Sequence, residues 1–194
     1  CSLSFERKNY LTEKNNSINL EIIKNYSKAI SRDPSNSFFY FERARAKEDY
    51  GDFKGAIEDF NNYFKINQDL KAIFYRANSK YKYGDFEGAI IDYEKLNLFE
   101  KNKDQIFYNL ASTQLLNFDY QKAINNYTKS IEYDNNDEYA YLYRGNGKFK
   151  LEDYEGASKD YGKSLEINNR SYIALNNRGV SQFKLKNYKM ALDN

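Results

Sequence analysis

The sequence holds no histidine, no tryptophan and a single cysteine, Cys1, in 194 residues. Without imidazole, and with one thiol, it cannot build thiolate or imidazole zinc sites, Ser-His triads or Cys-His dyads. No apolar run approaches the length of a membrane span. Neither charge dominates: 30 basic and 28 acidic residues leave a net charge of +2. There is no basic stripe to follow a nucleic acid backbone or an anionic membrane surface. No phosphate-binding glycine loop is present either. Gly145-Asn146-Gly147 sits in a helical pattern and is not followed by Lys-Ser or Lys-Thr. Acidic pairs such as Glu48/Asp49 and Glu152/Asp153 read as surface charge at helix ends. These absences leave no nucleophile with an activating base and no metal motif, and point away from an enzyme.

What the sequence has is a ladder of alanines: Ala56, Ala89, Ala123, Ala157 and Ala191, spaced by 33, 34, 34 and 34 residues. An aromatic stands three residues before each: Phe53, Phe86, Tyr120, Tyr154 and Tyr188. A period near 34 is the mark of a repeat architecture. Within each repeat, apolar and small residues recur three and four apart, which is helical spacing. A break divides the repeat into two helices of about a dozen residues. Gly51 and Gly84 stand at that break, where glycine ends a helix in a left-handed conformation. Asp52, Asp85, Asp119 and Asp153 then suit the N-cap of the second helix. Small residues also recur in the first helix, at Ala44, Ala77, Ala111, Gly145 and Gly179. Aromatics follow the ladder alanine by four, at Phe60, Tyr93, Tyr127 and Tyr161. No repeat can bury its apolar face alone, so the core arises by stacking.

This pattern resembles the tetratricopeptide repeat family, in a Tyr-x-x-Arg-Gly variant, over residues 17–194. The resemblance implies an all-α fold, a right-handed α-solenoid of stacked antiparallel helix pairs. Residues 1–16 read as a flexible tether. A half repeat falls at 17–36, full repeats at 37–69, 70–103, 104–137 and 138–171, and a partial one at 172–194. The family's usual leucine is replaced by Arg43, Arg76, Arg144 and Arg178, and the following aromatic often by Lys47, Lys80 and Lys148. Repeats with Arg43, Arg76 and Arg144 carry Asp59, Asp92 and Asp160 in their second helices. The repeat with Leu110 carries Asn126 instead. Charge and counter-charge appear and vanish together, which predicts structural ion pairs Arg43–Asp59, Arg76–Asp92 and Arg144–Asp160. Arg178 falls opposite Asn194 in this register.

In this family the first helices line the concave face. The resemblance therefore implies a peptide-binding groove that includes Lys71, Phe74, Tyr75, Asn78, Tyr108, Asn109, Tyr143 and Asn146. Carboxamides can hold a peptide backbone, and Tyr and Phe supply apolar area at low entropic cost. Phe74, Tyr108 and Leu142 occupy places where chaperone-binding relatives carry part of a carboxylate clamp, which argues against that specificity.

The expected function is a non-catalytic interaction scaffold for a protein or peptide partner. The alternative is an assembly module that stacks end to end with itself or a partner. Only Leu192, Asp193 and Asn194 follow Ala191, leaving the face of Leu175, Gly179 and Phe183 without a full covering helix. Either the protein continues past Asn194 or another molecule covers that face, with self-association as one result. At the other end, a leading Cys-Ser without methionine fits a processed bacterial lipoprotein. Cys1 would be the lipidated residue and the cell envelope the location. If position 1 is an arbitrary boundary, the cytoplasm is expected instead.

Overall fold

A computed structural model describes the backbone of residues 2–97 and 103–192 and the side chains of residues 15–96 and 103–186. Cys1, Ala191 and Asn194 lie outside the described side chains. Among the described residues there are ten helices and no strand. The fold is an all-α solenoid of stacked antiparallel helix pairs, and contacts divide it into two compact units, Cys1–Asp92 and Tyr93–Asn194.

The N-terminal unit holds α1 (Ser2–Arg32), α2 (Ser37–Tyr50), α3 (Phe53–Asn67), α4 (Leu70–Tyr83) and the start of α5 (Phe86–Asn97). Helices α1, α2 and α3 each pack on the one that follows. The C-terminal unit holds the end of α5, then α6 (Lys103–Leu116), α7 (Tyr120–Tyr133), α8 (Glu138–Lys150), α9 (Tyr154–Ile167) and α10 (Tyr172–Leu192). Here α6 to α10 pack in sequence, and α6 also touches α8.

The interior is made where small residues let helices approach. Ala44, Ala56, Ala77, Ala89, Ala111, Ala123 and Ala157 are all fully buried. The aromatics Phe60, Tyr93, Tyr127 and Tyr161 fill the adjoining space and are buried as well.

The turns inside the repeats share one backbone solution. Gly51 and Gly84 adopt φ of 94° and 92°. Phe118 and Glu152 stand at the same step with φ of 62° and 63°, so the left-handed turn persists where glycine does not. Next, Asp52 and Asp153 accept hydrogen bonds from the amides of Gly55 and Gly156, both at 2.9 Å, and Asp85 from Gly88 at 3.0 Å. Asp119 departs from the expected capping and makes no cap hydrogen bond. Its repeat has Lys122 where the others have glycine, and the Lys122 ammonium sits 2.8 Å from the Asp119 carboxylate instead.

Both ends differ from the sequence expectation. Helix α1 runs unbroken through the 16/17 boundary between tether and half repeat. Helix α10 continues to Leu192 through Lys186-Asn187, where a turn into a second helix was expected. The positions that hold Gly51-Asp52 and Gly84-Asp85 in other repeats hold Lys186-Asn187 here.

Leucine at Ala123 would insert three heavy atoms where Ala111, Tyr127 and Ala140 already close the space. Ala123→Leu is expected to lower stability by about 1–3 kcal/mol, read as an earlier midpoint in chemical denaturation.

Candidate functional site

The polar residues inside each repeat form one recurring device. The Nε atoms of Arg43, Arg76 and Arg144 each donate to Asp59, Asp92 and Asp160 respectively at 2.8 Å. A second guanidinium nitrogen bonds the other carboxylate oxygen, at 2.6 Å for Asp59 and 2.7 Å for Asp160. The fork is therefore bidentate, the geometry that guanidinium favours. Sequence reasoning missed that a lysine completes each site. Lys47 and Lys148 stand 2.8 Å from Asp59 and Asp160, and Lys80 stands 2.9 Å from Asp92. The signal was present, since each lysine lies one helical turn after its arginine.

A third arm was also missed. The remaining arginine nitrogen reaches back to the preceding second helix: Arg43 to Ser27 at 3.0 Å, Arg76 to Asn61 at 2.7 Å, Arg144 to Thr128 at 3.2 Å. Each guanidinium thus ties three successive helices. In the exceptional repeat all three charged positions change together. Leu110 and Gln114 are buried, and Asn126 donates to Gln114 at 2.8 Å. Arg178 faces α9 near Gly162, and its expected counterpart Asn194 lies outside the described residues.

The structure divides the expected groove residues between the two units. In the N-terminal unit, Phe41, Phe60 and Tyr75 form an aromatic cluster, with Tyr75 stacked on Phe60 at 5.8 Å. Cations sit over it: Lys71 lies 4.8 Å from the Phe41 ring centre and Arg45 lies 4.7 Å from Tyr75. Phe74 packs edge-on against Tyr75. Asn78 is half-buried beside them on α4. Glu48, expected at the surface, is buried and accepts from the Ser79 hydroxyl of α4 at 2.8 Å. It lies on the side of α2 that packs inward, which its place in an acidic pair did not reveal. Burial pushes its carboxyl above the usual range, while Ser79, Lys82 and Arg45 pull the other way.

In the C-terminal unit, Tyr143 stacks on Tyr127 and Tyr139, and Tyr108 packs edge-on against both Tyr127 and Tyr143. Asn109 is half-buried on α6. Leu142, read as groove-facing, is instead buried in the cluster with Ala157 and Tyr161. The Asn146 carboxamide oxygen is taken up internally, accepting from the Tyr161 hydroxyl at 2.9 Å and from Asn177 at 3.2 Å. Burial raises the Tyr161 phenol well above its ordinary value. Beside this pair a cavity of about 410 Å³ opens between α6, α8 and α10. Its walls include Leu115, Leu116, Phe149 and Val180, with Phe118 and Tyr120 contributed by the turn into α7. Among the described residues no group of His, Cys, Asp and Glu could hold a metal, and no helix is long and apolar enough to cross a membrane.

A family model described as tetratricopeptide repeat matches residues 104–137. That stretch is the repeat formed by α6 and α7, and the remaining repeats share its period. Residues 104–137 are thus matched as a tetratricopeptide repeat, and the chain has the fold of proteins built from such repeats. Solved structures agree on the fold. The C-terminal part of a tetratricopeptide repeat protein from Cytophaga hutchinsonii aligns at TM-score 0.77 and 19% identity, covering 94% of this chain and 71% of that one. YrrB, described as having an unusual peptide-binding site, aligns at TM-score 0.69 and 19% identity over 87% of each chain. The first repeat domain of Spaghetti, bound to an HSP90 peptide, aligns at TM-score 0.58 and 24% identity, covering 61% of this chain and 94% of that one. A comparison with curated proteins finds no match.

Two outcomes test the buried charges. Asp92→Asn leaves Arg76 and Lys80 facing no carboxylate and is expected to cost about 3 kcal/mol. Replacing Arg76, Lys80 and Asp92 together with Leu, Gln and Asn copies the neutral set of the next repeat and is expected to recover most of that loss in urea unfolding.

Glu48 gives a pH test. Its folded-state value is raised, so the native state holds the proton to higher pH than the unfolded chain. Stability then falls as pH rises from the ordinary carboxylate range through the raised value. Glu48→Gln keeps an acceptor for Ser79 and removes the charge. The variant is expected to melt above the parent near neutral pH, and the gap to close below about pH 4 in thermal scans.

Proposed function

We propose that this protein is a non-catalytic interaction module that binds a peptide segment or partner surface along the face formed by its first helices. The observation that carries this reading is the character of that face in each unit. On α2 and α4, Lys71 and Arg45 lie over half-buried rings. On α6, α8 and α10, an apolar cavity is bordered by carboxamides. Such a surface offers rigid aromatic area with a few oriented polar groups, as peptide-binding surfaces do. The peptide-binding site named for YrrB and the peptide bound to Spaghetti support the same use of this fold. The groove roles of Lys71, Phe74, Tyr75, Asn78, Tyr108, Asn109, Tyr143 and Asn146 belong to this proposal.

A second reading, end-to-end assembly, is favoured by one observation. Tyr172, Leu175 and Phe183 on α10 are 79%, 63% and 64% exposed. Grouped apolar exposure of this kind favours association.

Paired variants separate the two. Phe74→Ala and Tyr139→Ala change the first-helix face of each unit, whereas Lys159→Ala and Lys163→Ala change exposed sites on α9. In a crosslinking pull-down the first pair is expected to lose at least one captured partner that the second pair retains. Retention of every partner by Phe74→Ala and Tyr139→Ala, with self-association in sedimentation abolished by Leu175→Glu, would favour assembly.

A further inference from the structure

We propose that the cavity between α6, α8 and α10 receives one bulky apolar side chain of an extended peptide, together with an acidic group beside it held by Lys150. The proposal rests on the peptide-binding reading above and specifies the ligand for its C-terminal unit. At about 410 Å³ the cavity lies within the size range of ligand sites, and most of its wall is hydrocarbon from Leu115, Leu116, Phe149 and Val180. An apolar group is the occupant that gains most by leaving water there.

Charge gives the second half of the ligand. Among the described residues no acidic side chain lines the cavity, and Lys150, exposed in the last turn of α8, is the one charged group that does. Lys150 makes no ion pair with a described residue, in contrast to Lys148 two residues earlier, which is held by Asp160. A carboxylate on the ligand is therefore the complementary group. The carboxamides supply direction. The Asn146 oxygen is already committed to Tyr161 and Asn177, which orients the amide and leaves its N–H donors for an acceptor such as a peptide carbonyl.

Phe118 adds a further apolar group at this site. It sits at the left-handed step of the repeat turn with φ of 62°, where the two preceding repeats have Gly51 and Gly84. Glu152 takes the same left-handed step in the next repeat, so the turn itself is common to both. The Phe118 ring is 77% exposed. It stands at the lip of the cavity, edge-on to Tyr120, where an apolar ligand group would cover it.

The experiment pans the full 194-residue chain against a phage-displayed library of random dodecapeptides, then measures synthetic fluorescein-labelled winners by anisotropy. Winners are expected to carry Leu, Ile, Met or Phe within two residues of Asp, Glu or the free C-terminus. Lys150→Glu is expected to weaken them tenfold or more. Phe118→Gly is expected to weaken them several-fold while leaving the melting temperature equal or higher, so lost folding would not explain the effect. Winners without the apolar–acidic pair, or with affinity unchanged by Lys150→Glu, would overturn the proposal. If such winners are weakened by Phe74→Ala or Tyr139→Ala but not by Lys150→Glu, the binding face stands and this cavity assignment falls. If no peptide is enriched, or none responds to any of these variants, both readings fall.

Discussion

Each repeat depends on helices coming close enough that one side of the contact carries no more than a methyl group. Ala44, Ala56, Ala111, Ala123 and Ala157 sit at that approach with no exposed surface. A larger side chain would push the helices apart, and the aromatics at Phe60, Tyr127 and Tyr161 would lose the walls that bury them. Because the contact is short-ranged, it repeats every 34 residues or so without a central core.

The close approach also explains the buried charges. Helices this near leave room for a planar guanidinium but little water around it, so each arginine must find its partners in the protein. Asp59, Asp92 and Asp160 supply them, with Lys47, Lys80 and Lys148 on the oxygen that the arginine Nε also holds. The backward bonds to Ser27, Asn61 and Thr128 set how one helix pair meets the previous one. The Leu110–Gln114–Asn126 set shows that the same space accepts a neutral solution. The charged device thus acts on register, in keeping with the modest net stability that buried ion pairs contribute.

The binding face is what remains after this internal accounting. Position by position, the same kind of residue does different work. Ser112 shares a hydrogen bond with the Tyr127 hydroxyl at 2.8 Å, and Asn146 accepts one from Tyr161. Groups that look available along a helix face are thus partly consumed in holding buried phenols. The cavity is walled by that bonded Asn146–Tyr161 pair together with the rings of Phe118, Tyr120 and Phe149.

The sequence by itself determined the period, the two-helix repeat and the small-residue contacts, because each is written in local spacing that stacking then multiplies. The pairing of arginine with aspartate could be read from their joint loss beside Leu110. Tertiary structure alone decided four further points. Glu48 is buried because α4 packs over it, and Asn146 spends its oxygen because Tyr161 arrives from the next helix. Phe118 takes the left-handed turn without glycine because its neighbours on both sides are held by their helices. The cavity exists because α6, α8 and α10 converge, and no spacing within one repeat records a distance between three.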